Sequence, residues 1–200
     1  MGKMRVAVFA SGSGTNLQAI IDADIQTIEI AVVFTNNPDA YAIERAKKHN
    51  IQVEIIDHKN YKTREEYEKH IIEVLDPYKL NLIVLAGFMR ILSTVFVRAY
   101  KNKIVNIHPA LLPSFPGINA GRQALEYGVK YTGVTVHFVD EGVDTGPIIL
   151  QSVVEIEDED TEDTLLEKIH EVEHRIYPKA IELISSGEIE IIGRRVIKKS

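Results

Sequence analysis

The sequence predicts an α/β fold in which a mostly parallel central sheet is flanked by helices on both faces. Three observations carry that expectation. Short apolar runs alternate with stretches of helical periodicity through the first hundred residues, the order that produces parallel strands joined by helical crossovers. Those runs show little polar alternation, as strands do when both faces are covered. A glycine-punctuated turn, Ser11-Gly12-Ser13-Gly14-Thr15-Asn16, joins the first run to the first helical stretch, and punctuation of that kind marks a strand-to-helix connection.

In chain order, Val6 to Ala10 reads as a strand, and Leu17, Ile20 and Ile21 recur after the glycine turn at helical spacing. The rhythm repeats with a strand over 30–34, a helix over 40–49, a strand over 53–56, a helix over 63–75 and a strand over 82–86. A further strand runs from Lys103 to Pro109. Past Pro109 the alternation loosens into a proline-rich loop (Pro109, Pro113, Pro116), a helix near 123–127, and strands over 134–139 and 148–154. A long amphipathic helix over 161–184 follows, and 188–192 returns as an edge strand. The basic end, 194–199, reads as a frayed tail. One domain over 1–200 is expected, about 1–100 forming a phosphate-binding half and about 101–200 a catalytic half.

Bulk properties exclude several classes. The 200 residues are 45% hydrophobic and carry a net charge of −6, the wrong sign for a nucleic-acid binder. Much of the charge sits between Glu155 and Asp163, a run expected to be a solvated turn into the long helix with Thr161 as its cap. With no cysteine, disulfides and thiolate metal sites are out of reach. The N-terminus lacks a signal-peptide core and no apolar run reaches membrane-spanning length, so a cytoplasmic protein without membrane or nucleic-acid partners is expected.

The chemistry concentrates in Asn106-Ile107-His108-Pro109. Residues i and i+2 of a strand share a face, which sets the Asn106 amide beside the His108 imidazole. Two such donors suit a developing oxyanion. A carboxylate from Asp140-Glu141-Gly142-Val143-Asp144-Thr145-Gly146, a glycine-punctuated loop, can approach the ring and raise its pKa. Amide, imidazole and carboxylate together indicate carbonyl chemistry. The glycine turn lacks the third glycine of a dinucleotide fingerprint, Leu17 standing there, and it lacks the lysine of a triphosphate loop. A monophosphate ester held by Gly14, Thr15 and Asn16 remains, against a plain turn capped by Thr15. Leu85 to Leu92 leaves a buried strand through Gly87. Backbone groups of Arg90 and Leu92 can meet the edge of a flat heterocycle while Met89, Ile91 and Leu92 line its walls, against a purely structural strand-to-helix connection.

His170-Glu171-Val172-Glu173-His174 fits the H-E-x-x-H pattern of zinc proteases. A catalytic zinc needs a third protein ligand, and no histidine follows His174, so no metal is expected, while Glu173 stays a candidate for reaching a substrate. His49, His58 and His70 are expected at the surface. His137 shares a face with Thr135 and is read chiefly as a satisfied interior histidine, with a supporting role beside the active site as the alternative.

Taken together, the glycine turn through Gln18, Leu85 to Leu92, the run Asn106-Ile107-His108-Pro109-Ala110-Leu111-Leu112-Pro113, and Asp140 to Pro147 resemble the phosphoribosylglycinamide formyltransferases (GAR transformylases) of the folate-dependent formyltransferase family. The resemblance spans nearly the whole chain and implies a Rossmann-like formyltransferase fold. It implies that Asn106, His108 and Asp144 are catalytic, with Asp144 raising the pKa of His108. Gly14, Thr15, Asn16 and Glu173 would bind glycinamide ribonucleotide, and Arg64, Met89, Arg90, Ile91, Leu92 and Asn106 the folate. The implied reaction moves the formyl group of 10-formyltetrahydrofolate to the ribonucleotide amine in purine biosynthesis, without a metal, in a monomer or weak homodimer. One departure stands out: relatives commonly carry one or two histidines after Phe115-Pro116-Gly117, where this chain reads Ile118-Asn119-Ala120-Gly121-Arg122.

Rival readings are a formyltetrahydrofolate hydrolase, expected to carry a further domain before the glycine turn, and a methionyl-tRNA formyltransferase, expected to continue into a basic domain. From other classes come a zinc protease using His170 and His174, and a non-catalytic nucleotide-binding module resting on the glycine turn alone.

Overall fold

A computed structural model describes residues 2–199; Met1 and Ser200, the expected outer limits of the domain, lie outside the described residues. The architecture is α/β, a mostly parallel sheet flanked by helices. The chain forms two compact units, 1–105 and 106–200.

The first unit holds β1 (Met4–Phe9), α1 (Thr15–Asp22), β2 (Ile28–Thr35), α2 (Ala42–Lys48), β3 (Val53–Ile55), α3 (Arg64–Leu75), β4 (Leu82–Leu85) and α4 (Thr94–Ala99). Its strands lie in the order β3-β2-β1-β4, all parallel, with Val8 opposite Val33 and Val84. The apolar runs form this sheet for the reason the sequence suggests: Val6 to Phe9 and Leu82 to Val84 are almost wholly buried, so both sides of these strands are covered. Phe9 lies 4.5 Å from Phe34 and 5.9 Å from Phe96, ring centre to ring centre, in the core. The six-residue α4 is absent from the sequence reading, being too short to show a period.

β5 (Ile104–His108) runs across the boundary and delivers Asn106 and His108 to the second unit. There follow α5 (Ala120–Tyr127), β6 (Tyr131–Phe138), β7 (Ile148–Glu155), α6 (Glu162–Ser185), β8 (Ile189–Ile192) and β9 (Arg195–Lys198). β6 and β7 are antiparallel, with Thr135 opposite Gln151. Thr161 caps α6 as expected: its hydroxyl accepts from the Thr164 amide while the Thr164 hydroxyl accepts from the Thr161 amide, a reciprocal capping box. Gly121 faces α6, where a Cβ would touch Ile169 and Leu165 at 3.9 and 4.0 Å.

Two expectations need correction. The basic end is not a frayed tail, because Arg195–Lys198 pairs antiparallel with β8 and meets β7 at Ile148. Strand pairing satisfies its backbone, which the Arg and Lys content conceals. The acidic run is not uniformly solvated either. The Asp160 side chain is 4% exposed, bound by Lys168 at 2.8 Å, the Glu157 amide at 2.8 Å and the Thr164 hydroxyl at 2.9 Å.

Candidate active site

The second unit gathers the three residues expected to do chemistry. His108 is 3% exposed at the end of β5, and its Nδ1 lies 3.4 Å from Asp144 Oδ2. Its Nε2 lies 2.8 Å from the Phe115 carbonyl oxygen. A carbonyl only accepts, so Nε2 carries a hydrogen. Phe115 is held in place by the proline-rich loop before it. Thr135 Oγ1 accepts from the Leu112 amide at 3.0 Å and donates to the Ala110 carbonyl at 2.7 Å, and Gln151 Nε2 donates to the Leu112 carbonyl at 2.9 Å.

Asp144 sits on the loop between β6 and β7. Asp140 shapes that loop, its Oδ1 accepting from the Gly142 amide at 3.1 Å and the Thr145 hydroxyl at 2.6 Å. Gly146 is required by close approach, since a Cβ there would stand 1.7 Å from the Phe138 carbonyl oxygen. Asp144 itself has φ +53°, a left-handed conformation that Asp and Asn tolerate better than other residues with a Cβ. Its Oδ2 also accepts from the Gly117 amide at 2.8 Å. Burial is the largest influence on its carboxyl and pushes the pKa up. Hydrogen bonding from His137 and the Gly117 amide, with the charges of His108 and His137, outweighs burial and holds it below the ordinary carboxylate value. Asp144 is therefore an anion at neutral pH.

His137 belongs to this cluster, a fuller part than the interior role the sequence favoured. Its Nδ1 lies 2.9 Å from the Phe138 carbonyl, which fixes a hydrogen on that nitrogen. Nε2 lies 3.4 Å from Asn106 Nδ2 and 3.6 Å from Asp144 Oδ1. Asn106 Nδ2 carries two hydrogens, so at least one is available to another acceptor. Its alternation with Thr135 was the available signal; the contacts of the Phe115 carbonyl and Gly117 amide had none, because backbone groups carry no side-chain mark.

Glu173 lies on α6, 4% exposed, with Oε2 2.9 Å from His170 Nδ1. The His170 pKa is raised, chiefly by that hydrogen bond. His170 and His174 stack at 6.3 Å, and among the described residues no group of three or more His, Asp or Glu is arranged to hold a metal ion.

In the first unit, the glycine turn opens α1 with Gly14 as the residue before the helix, at φ +70°. A Cβ at Gly14 would lie 2.8 Å from that of Ala42, so conformation and packing both demand glycine. Thr15 is the first helical residue rather than its cap, and Asn16 is buried. Arg45, which the sequence did not single out, donates from Nε to the Ser13 carbonyl at 2.8 Å and places a cation at the turn. The Met89 amide donates to Ser11 Oγ at 2.9 Å, and Met89 and Ile91 are 81% and 62% exposed. The Arg90 guanidinium lies 5.6 Å from the centre of the Tyr67 ring, and Arg64 is exposed at the start of α3. A cavity of about 420 Å³ adjoins this loop, lined in part by Asn36, His58, Lys59, Met89 and Arg90. His58, expected at the surface, is partly buried there with Nδ1 3.4 Å from Asn36 Nδ2.

The histidine at the end of β5, the amide two residues before it and the carboxylate of the β6–β7 loop thus form one polar cluster beside an α/β sheet. Residues 4–181 match the formyl transferase family. The chain is 44% identical over 180 residues to phosphoribosylglycinamide formyltransferase of Bacillus subtilis (strain 168), covering 88% of this chain and 92% of that one. It superposes on a crystal structure of glycinamide ribonucleotide transformylase 1 from Symbiobacterium toebii with a TM-score of 0.96 at 45% identity, over 99% of this chain and 95% of the other. It is also 45% identical over 192 residues to the trifunctional purine biosynthetic protein adenosine-3 of Gallus gallus, spanning 94% of this chain but 19% of that longer protein. The chain belongs to the formyl transferase family, in its phosphoribosylglycinamide formyltransferase branch. No helix among the described residues is long and apolar enough to cross a membrane.

Proposed function

We propose that this chain transfers the formyl group of 10-formyltetrahydrofolate to the amine of 5'-phosphoribosylglycinamide in de novo purine biosynthesis. The observation that carries the reading is the cluster of Asn106, His108, His137 and Asp144, which sets two polar donors beside a partly buried anion. The amine nitrogen attacks the formyl carbon and the carbonyl π pair moves to oxygen. Asn106 Nδ2 and the His108 ring stabilise that oxyanion, as preorganised donors do where charge develops. The carbon–N10 bond then breaks, N10 takes a proton, and the amine nitrogen loses one.

The slack in the His108 contacts favours Nδ1 as the donating nitrogen. Its 3.4 Å to Asp144 exceeds ordinary hydrogen-bond length, whereas Nε2 is committed to Phe115 at 2.8 Å. Asp144 acts as the anion that keeps this ring a donor. We assign the first unit as the phosphate-binding half and the second as the catalytic half. Gly14, Thr15 and Asn16 take the ribonucleotide phosphate at the start of α1, and Glu173 contacts the ribonucleotide. Arg64 and Met89 to Leu92, with Asn106, take the folate, the exposed Met89 and Ile91 side chains being apolar surface that a ring covers.

The test is an absorbance assay for tetrahydrofolate-type product with glycinamide ribonucleotide, and again with water as the sole acceptor. Product that depends on the ribonucleotide supports transfer. Equal product without it indicates hydrolysis and overturns the reading.

A further inference from the structure

Glu68 is a buried acid that the proposed chemistry does not use. It is 2% exposed, and no Lys or Arg pairs with it among the described residues. Instead both carboxyl oxygens accept from the Ser93 backbone amide, at 2.9 and 3.1 Å, and the Ser93 hydroxyl closes on Oε2 as well. Ser93 stands just before α4, where a serine hydroxyl ordinarily caps the helix. Here it makes no capping bond; its hydroxyl is given to Glu68. Burying a carboxyl group is unfavourable without such partners, so this contact fixes where the chain leaves Leu92.

Glu68 lies four residues after Arg64, one turn along the same side of α3. The segment Met89 to Ser93 is thereby held at three points: the Met89 amide on Ser11, the Arg90 guanidinium over Tyr67, and Ser93 on Glu68. Two of those anchors, Tyr67 and Glu68, are consecutive residues of the helix that begins with Arg64.

We propose that Glu68 is a positioning residue for the formyl donor: through Ser93 it locks the helix bearing Arg64 to the Met89–Leu92 loop, so that both grip one folate in a fixed relation. The inference rests on the folate assignment above. Loosening the loop that grips one substrate reads out in the Michaelis constant of that substrate, as the loss of a uniform binding interaction does.

Steady-state kinetics of Glu68→Ala, Glu68→Gln and Ser93→Ala, with each substrate varied in turn, test it. The Michaelis constant for the formyl donor should rise about 5–20-fold in Glu68→Ala and less in Glu68→Gln, which keeps one acceptor for the Ser93 amide. The ribonucleotide Michaelis constant and kcat should stay within about twofold of wild type. A merely structural role would lower Tm and the active fraction with both Michaelis constants unchanged, and that result overturns the proposal. Should Glu68→Ala fail to fold, Glu68→Gln decides, and an unchanged donor constant in that folded variant refutes the inference. Wild-type protein that neither turns over nor binds reduced folate in a calorimetric titration refutes the functional reading itself, whereas wild-type turnover with unshifted variants refutes only the role of Glu68.

Discussion

Replacing Asp144 by Asn removes one charge and little else. The side chain keeps its shape, φ +53° remains accessible to Asn, and an amide oxygen can still accept from the Gly117 amide, now at 2.8 Å from Oδ2. What disappears is the anion 3.4 Å from His108 Nδ1 and 3.6 Å from His137 Nε2. An interaction with a charged partner is worth about 1.5–3 kcal/mol, and 1.36 kcal/mol is about tenfold in rate. The variant should therefore lose about 10–100-fold in kcat, with both Michaelis constants nearly unchanged because neither substrate is assigned to this carboxylate. Stability carries a second signature. The native Asp144 pKa lies below its ordinary value, so its stabilisation is fully present above about pH 5 and fades as pH falls through the lowered native value. Urea melts at a series of pH values should show the gap between wild type and Asp144→Asn narrowing in acid. A folded variant with wild-type kcat and a pH-independent gap would refute the reasoning.

Three further outcomes are expected. His108→Ala, measured by turnover with circular dichroism to confirm folding, should lose about 10²–10³ in kcat, the usual loss of an oxyanion donor; a loss under about threefold contradicts its role. Gly14→Ala meets Ala42 at 2.8 Å in a left-handed conformation, and thermal melts should register about 1–3 kcal/mol of destabilisation with a higher ribonucleotide Michaelis constant. An unchanged Tm would mean that α1 and α2 are less tightly packed than described. Gly146→Ala would put a methyl 1.7 Å from the Phe138 carbonyl oxygen, displacing the Asp144 loop, so kcat should fall at least as far as in Asp144→Asn when the two are assayed side by side.

The alternation from β1 to β4 was legible because each strand is a short apolar run and each longer helix has a period of its own. α4 was not, since six residues hardly complete two turns and the serine that precedes it spends its side chain on Glu68. β9 was read as a tail because a basic, charged strand resembles a solvated end until its partners, β7 and β8, are known. His58 looked superficial among charged neighbours and instead lines a cavity with Asn36.

By itself the sequence determined the strand–helix alternation from β1 to β4, the glycine turn that leads into α1, and the placement of Asn106 and His108 on one strand face, because these depend on neighbours within a few residues. Tertiary structure alone decided that His137 touches both Asn106 and Asp144, that Phe115 and Gly117 contribute backbone groups, and that Glu68 meets Ser93. Those contacts join positions 7 to 36 residues apart, and their geometry is set by packing and loop closure, which no local pattern of side chains encodes.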